Sequence, residues 1–389
     1  MENIEEKACA CALNRIFGFS PRTGTALISH LGSASEVFRL GRGELEAMLG
    51  RASQHIGSIC SEAVRSARQE LRNLENLGIT FTEWNSSEYP TLLKECPDAP
   101  IGLYIKSITP PQELWSPPKS IAVVGTRDIS PYGKEWCERI VQSISSGNER
   151  PVIVSGLALG TDICAHKTAL DCGLPTIAVM ATGPESTYPY RHKDFAWKLW
   201  HTPGCALITD YPPGTAPLAV HFLRRNRIIA GLADATILIE SKSRGGGMTT
   251  SRLAFSYSRD VYALPGRADD VRSQGCNRLI REKVAEPLIS IEDLTESLGL
   301  GRNWRKSRLS PVEILDRHFG KQCPPDQITD FVKILEAIRN ERGITVEEAA
   351  LKTGMEYVKA SQITGFLETE GFICVDLLQR CTLETKIFR

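Results

Sequence analysis

Between His221 and Gly266 the chain carries its densest set of groups able to hold an anion: HFLRRNRIIAGLADATILIESKSRGGGMTTSRLAFSYSRDVYALPG. Arg224, Arg225 and Arg227 fall in a stretch with helical spacing, and an apolar strand follows from Ala235 to Ile239. Arg244 and the run Gly245, Gly246, Gly247 then lead through Thr249 into a second helix. A strand that passes through glycines into a helix leaves free backbone N–H groups and a helix N-terminus at one point, where an anion is favoured. Four arginines around such a loop point to an anion larger than one phosphate. The planar guanidinium grips phosphate oxygens in pairs and also stacks on bases. The competing use of such a run is a set of structural ion pairs. Arg225 and Arg227 lie about 200° apart on an ideal helix, so one helix face cannot offer both to a ligand.

Other strand ends repeat the pattern. IAVVG ends in Gly125-Thr126-Arg127, PVIVSG in Ser155-Gly156 with Gly160 opening the next helix, and PTIAVMATG in Thr182-Gly183. In parallel sheets ligands sit at the carboxyl ends of strands, so small residues there predict a crevice floored by backbone amides. Phe222, Tyr188, Tyr190 and Tyr211 are candidates for stacking on a base. Neither GxGxxG after the first strand nor GxxxxGK[ST] occurs, which speaks against a dinucleotide dehydrogenase and a P-loop ATPase. Asp162 and His166 are four apart and share a helix face, as base and orienter or simply as packing. No Ser-His-Asp or metal-ligand spacing stands out.

The elements that must position these residues form an α/β pattern from Ser120 onward. IAVVG, PVIVSG, PTIAVMATG, CALITDY, ATILIE and DVYALPG alternate with helical stretches. That alternation predicts a Rossmann-like, doubly wound parallel sheet covered on both faces. Ahead of it, residues 1 to 85 read as helical, with Gly24 and Gly32 interrupting short helices in the manner of SAM-like and helix-hairpin-helix modules. The proline-rich segment after residue 86 connects the two and contains IGLYIK, a strand for the sheet edge. The sheet domain is expected over 86–300, a linker with Arg302, Arg305, Lys306 and Arg308 over 301–326, and a winged helix over 327–389. That tail carries Glu347, Glu348, Glu356, Glu368 and Glu370, so protein contact is as good a use for it as DNA.

The chain's 46 basic and 46 acidic residues cancel, so any polyanion must be met by a local concentration of charge. Twelve scattered cysteines without a CxxC pair read as reduced thiols of a cytoplasmic protein. No basic, apolar leader and no membrane-length apolar run is visible.

IAVVGTR, VIVSGLALGTDICAHKTAL, FLRRNRIIAGL, the Gly-rich MTTSRLA stretch, DVYALPG and SQGCNRLI, in this order, resemble DprA (Smf). This is a family of DNA-processing proteins of bacterial natural transformation. The resemblance covers residues 100 to 285, and the flanks follow the family's order of helical module, extended Rossmann fold and winged helix. It implies single-stranded DNA binding, protection of incoming DNA, homodimerisation and loading of the RecA recombinase, without catalysis, cofactor or metal. The family's pocket arginine falls on Arg127, its Ser-Gly on Ser155 and Gly156, and its RNR signature on Arg225, Asn226 and Arg227. With the strand-end and loop groups, the expected DNA site comprises Gly125, Thr126, Arg127, Ser155, Gly156, Gly160, Phe222, Arg224, Arg225, Asn226, Arg227, Arg244, Gly246, Gly247 and Thr249. The chain departs from the family's pattern at Thr126, in GTD at Gly160, in YPYRHKD, and in Gly245-Gly246-Gly247-Met248.

The Gly-rich turn also resembles the PGGxGTxxE loop of phosphoribohydrolases, which sets an enzyme, or a nucleotide sensor of that superfamily, against a DNA holder. Arg252 falls where that loop has its glutamate, and an arginine does not serve as a carboxylate base.

Overall fold

The computed structural model describes residues 2–300 apart from 148, and then 315, 318–320, 323–341, 344–376 and 379–383. Its contacts divide the chain into two units, 1–302 and 303–389. Arg302, Arg305, Lys306 and Arg308 of the expected linker lie outside the described residues.

The first unit opens with five helices: α1 Glu2–Phe17, α2 Pro21–Leu31, α3 Ala34–Val37, α4 Arg42–Leu49 and α5 Ser61–Glu75. Cys9, Leu13, Phe17, Leu27, Ile28 and Val64 form their core. Gly24 does not interrupt a helix. It sits inside α2, where an added Cβ would collide with Ile101. Gly32 does end α2, in the left-handed conformation that its missing Cβ allows, and the Ser33 side chain caps α3.

The helical reading stops too late. β1 (Ile79–Glu83) is a strand, paired antiparallel with β2 (Gly102–Lys106). Between them lies α6 (Thr91–Lys94); α7 (Pro111–Leu114) follows. Phe81 and Tyr104 face the helices and join their core, so helices and sheet are continuous across residue 85.

The sheet then builds as expected. β3 (Ser120–Val124), β4 (Val152–Ser155), β5 (Thr176–Val179), β6 (Ala206–Thr209), β7 (Ala235–Leu238) and β8 (Asp260–Ala263) are the six apolar strands. The helices between them are α8 (Pro131–Ser145), α9 (Thr161–Asp171), α10 (Lys193–Trp200), α11 (Ala219–Leu232) and α12 (Gly246–Ser256). After β8 come α13 (Gln274–Arg281), β9 (Glu286–Pro287) and α14 (Ile291–Ser297). The order is β1-β2-β6-β5-β4-β3-β7-β8-β9, parallel from β6 to β9.

Both faces are covered, which is why the strands are apolar at nearly every position. Ile121 and Val123 of β3 pack with α8, α9 and α14, whereas Ala122 and Val124 pack with α11, α12 and α13. The chain leaves β3 toward β4 on one side and returns to β7 on the other. The carboxyl ends of β3 and β7 are therefore the switch point, where a crevice is expected.

The second unit contains α15 (Pro325–Asn340), α16 (Val346–Thr353), α17 (Tyr357–Thr369) and an antiparallel pair, β10 (Ile373–Val375) with β11 (Cys381–Leu383). Phe331, Leu335, Leu367 and Phe372 are at its core.

Candidate nucleic-acid interface

The site begins at the end of β3. Thr126 is braced from three sides: its carbonyl accepts from the Thr161 backbone N–H (3.1 Å) and the Thr161 hydroxyl (3.2 Å), and its own hydroxyl accepts from the Asp128 N–H. Gly160, at φ +73°, lies so close to Thr126 and Arg127 that any side chain there would strike their backbone. This bracing holds Arg127 outward. Its guanidinium lies 5.1 Å from the centre of the Phe222 ring, and Tyr188 meets the same ring at 5.3 Å. Arg127 and Tyr188 are exposed, and Arg127 has no carboxylate partner among the described residues.

The arginines of α11 behave otherwise. Arg225 is 4% exposed and donates to the carbonyls of Gly156 (2.6 Å) and Val179 at the ends of β4 and β5. An added Cβ on Gly156 would lie 2.5 Å from that guanidinium, so this glycine makes room for Arg225. Burial lowers the Arg225 pKa to about 10, against the nearby charge of Asp162, and it stays charged at neutral pH. Arg227 is likewise buried. It pairs with the Asp210 carboxylate and donates to the Asp98 carbonyl. Arg224 donates to the carbonyls of Gly18 and Phe19 and lies 4.1 Å from the centre of the Phe19 ring, tying α11 to the turn between α1 and α2.

Several expected contacts therefore face inward. The Ser155 hydroxyl donates to the Val123 carbonyl at 2.7 Å and has no exposed surface. The Gly156 N–H donates to the Asp162 carboxylate, as does that of Ala158. The anion awaited at this helix N-terminus is thus part of the chain itself. Burial raises the Asp162 pKa, opposed by Arg225. His166 does not join Asp162. Its Nδ1 meets the Thr176 hydroxyl at 2.7 Å, and burial with the charge of Arg225 lowers its pKa to about 3. The pair is packing, not a base with its orienter.

At the switch point the backbone closes up. A Cβ on Gly247 would lie 3.2 Å from the Gly125 Cα and 2.6 Å from Leu238. Asn226 holds α12 by donating to the Gly246 carbonyl at 3.4 Å. Beyond, an open groove of about 1000 Å³ is lined by Leu223, Arg244, Gly246, Thr249, Arg252, Leu253 and Arg278. Phe222 and Leu223 are neighbours on α11, yet Phe222 faces Arg127 and Leu223 faces this groove. The lining of this groove includes Arg244 and not Arg127. Arg252 is ion-paired with Glu282 at 2.6 Å. No cluster of metal-ligating side chains occurs among the described residues, and none of their helices is long and apolar enough to cross a membrane.

Sequence reading missed two acids, Asp210 as partner of Arg227 and Glu240 as the group that receives Ser130 at the start of α8. For Glu240 a signal was present, an acid ending an otherwise apolar strand; for Asp210 there was none stronger.

The profile of the DNA recombination-mediator protein A family matches residues 80–299. The chain is 42% identical over 194 residues to the DNA processing protein DprA of Streptococcus pneumoniae, covering 50% of this chain and 66% of that one. It is 34% identical to the protein Smf of Escherichia coli, with 57% of each chain covered. The chain thus spans less than two thirds of these relatives' own lengths. A putative DNA processing protein DprA of Mycobacterium tuberculosis is 31% identical over 364 residues, 89% of this chain and 86% of that one. The X-ray structure of the pneumococcal protein superposes with a TM-score of 0.57 at 33% identity, over 66% of this chain and 86% of that one. The DNA processing protein A of Helicobacter pylori, described for its single-stranded DNA binding mode, superposes with a TM-score of 0.50 at 28% identity, over 57% of this chain and 95% of that one. With its Rossmann-like sheet and its matched core, the chain belongs to the DNA recombination-mediator protein A family.

Proposed function

We propose that this protein holds single-stranded DNA at Arg127, Phe222 and Tyr188, shields it, and passes it to a RecA recombinase in bacterial transformation. One observation carries the reading: an exposed guanidinium stands over the Phe222 ring, which Tyr188 also meets, with no acid to satisfy it among the described residues. Such a group neutralises a phosphate and leaves the rings for a base. Arg244, with Gly246 and Thr249, extends the positive surface on the far side of α11. Arg225, Arg227, Ser155, Gly156 and Asn226 act beneath as the frame. Membership of the family supports the hand-over to recombinase and action as a homodimer. The second unit's three helices and strand pair fit a winged helix, and the protein acts in the cytoplasm.

Holding without hydrolysis is supported by Arg252, which falls in sequence where the phosphoribohydrolase loop has its glutamate and is itself ion-paired with Glu282. The test is the affinity for short oligo-dT against salt, with a log–log slope of about −0.7 per phosphate neutralised. Arg127→Ala is expected to weaken binding about tenfold, and Arg244→Ala less. Unchanged affinity in both variants, or release of free base from nucleotides, would overturn the proposal.

A further inference from the structure

The chain carries further exposed rings after Tyr188. Two residues on, Tyr190 is 75% exposed and carries Lys193 over its ring at 5.5 Å. Lys193 begins α10, and α10 runs away from the strand ends. Along it, Lys193, Trp197, Trp200 and His201 recur at the spacing that places them on one helix face. Trp197 is 61% exposed. Its ring meets His201 at 4.0 Å, His201 meets Trp200 at 3.4 Å, and the Lys106 ammonium lies 4.9 Å from the Trp200 ring centre. Only Asp194 opposes Lys193 and Lys198 on this helix.

An exposed tryptophan on a helix whose apolar side, Ala196 and Leu199, is already buried contributes nothing to the core. Exposed rings alternating with ammonium groups match a ligand with flat π-faces joined by phosphates. Tyr190, which opens this strip, stands two residues along the chain from Tyr188 of the Arg127–Phe222–Tyr188 cluster. We propose that the outer face of α10 is a second stretch of the binding path, taking the bases and phosphates of a single strand as it leaves Tyr188. Tyr190 and Trp197 stack on bases, while Lys193, Lys198 and Lys106 meet phosphates. The α10 face, Lys193 to Trp200, spans about 10 Å at 1.5 Å per residue, room for roughly two nucleotides. This inference rests on the reading that the strand-end cluster holds single-stranded DNA.

The experiment compares labelled oligo-dT of about six and about twenty nucleotides by fluorescence anisotropy, on the full chain. Arg127→Ala is expected to weaken both. Trp197→Ala, an exposed change that spares the core, is expected to leave the short oligonucleotide unchanged and to weaken the long one about tenfold, the loss of one stacked base. The double variant Lys193→Gln, Lys198→Gln should flatten the salt slope for the long oligonucleotide only, by about 0.7 per lost contact. If Arg127→Ala weakens both while Trp197→Ala alters neither, the path ends at Tyr188 and the α10 inference fails alone. If Trp197→Ala instead dissociates an oligomer with DNA affinity intact, the face belongs to a second copy and the inference is again overturned. If Arg127→Ala leaves both affinities unchanged, the reading of the strand-end cluster falls, and the extension falls with it.

Discussion

The arginines of α11 and the arginines of the surrounding loops have the same chemistry and opposite circumstances. Arg225 and Arg227 are 4% and 6% exposed, and carbonyls and a carboxylate take up terminal Nη donors of both, leaving the buried Arg227 Nε without a partner among the described residues. Arg127 and Arg244 are exposed on loops at the strand ends, with no carboxylate partner among the described residues. A buried guanidinium must be satisfied inside the protein, because leaving it unpaired costs several kcal/mol. An exposed one has water as its alternative and keeps its donors for a ligand. The lesson is that a cluster of like residues at one site divides by burial into those that make the site and those that use it.

Arg227→Ala is the change with the largest expected effect on that division. It removes one partner of a buried pair and leaves Asp210, with 7% of its side chain exposed, uncompensated. Loss of about 3–5 kcal/mol in urea unfolding is expected, with unchanged DNA affinity per folded molecule. A stable Arg227→Ala protein that no longer binds would reverse the division, moving Arg227 to the ligand side.

Gly156→Ala tests the same frame more gently. The new methyl meets the Arg225 guanidinium, 2.5 Å from its Nη1. Either the side chain leaves the Gly156 and Val179 carbonyls or the strand end shifts, and overpacking of this kind costs about 1–3 kcal/mol. Gly125→Ala would confuse the issue because it also touches the switch point. Gly156 is cleaner, since the three atoms nearest the new methyl all belong to the Arg225 guanidinium. An unchanged unfolding midpoint would mean that Arg225 is not fixed there.

These divisions also show what a sequence can reveal. The six parallel strands were legible because burial on both faces makes each a short apolar run, bounded by glycine or a polar cap. β1 was not. Its ITFTE alternates threonines with apolar residues, follows helix α5 almost at once, and takes its partner from Gly102–Lys106. Only a contact distant in sequence makes it a strand. At the site, the arginine run and glycine turns marked the place, and helix geometry already separated Arg225 from Arg227. Their partners could not be read. The Gly156 and Val179 carbonyls come from two other strands, and Asp210 follows a third. Asp162 was visible as an acid beginning a helix, but not as the anion filling the amides of Gly156 and Ala158. A side chain can occupy the anion site that local pattern assigns to a ligand.

His166 gives the smallest effect, and it reports on the buried side of the comparison without touching an arginine. Burial, with the charges of Arg225 and His192, lowers its pKa from the ordinary 6.5 to about 3. The unfolded chain therefore takes up a proton near pH 6.5 that the folded protein refuses until about pH 3. Acid favours the state that binds the proton, so stability falls as pH drops through this window and recovers above it. One such group changes stability by about 1 kcal/mol between pH 6 and 5. Urea midpoints at the two pH values, for the native chain and for His166→Gln, isolate it, because the other titrating groups are common to both proteins. The variant is expected to lose about that much of the native chain's pH dependence. Equal pH dependence in the two would mean that His166 is hydrated or protonated in the folded state, and the pocket it shares with Arg225 would then be open to water.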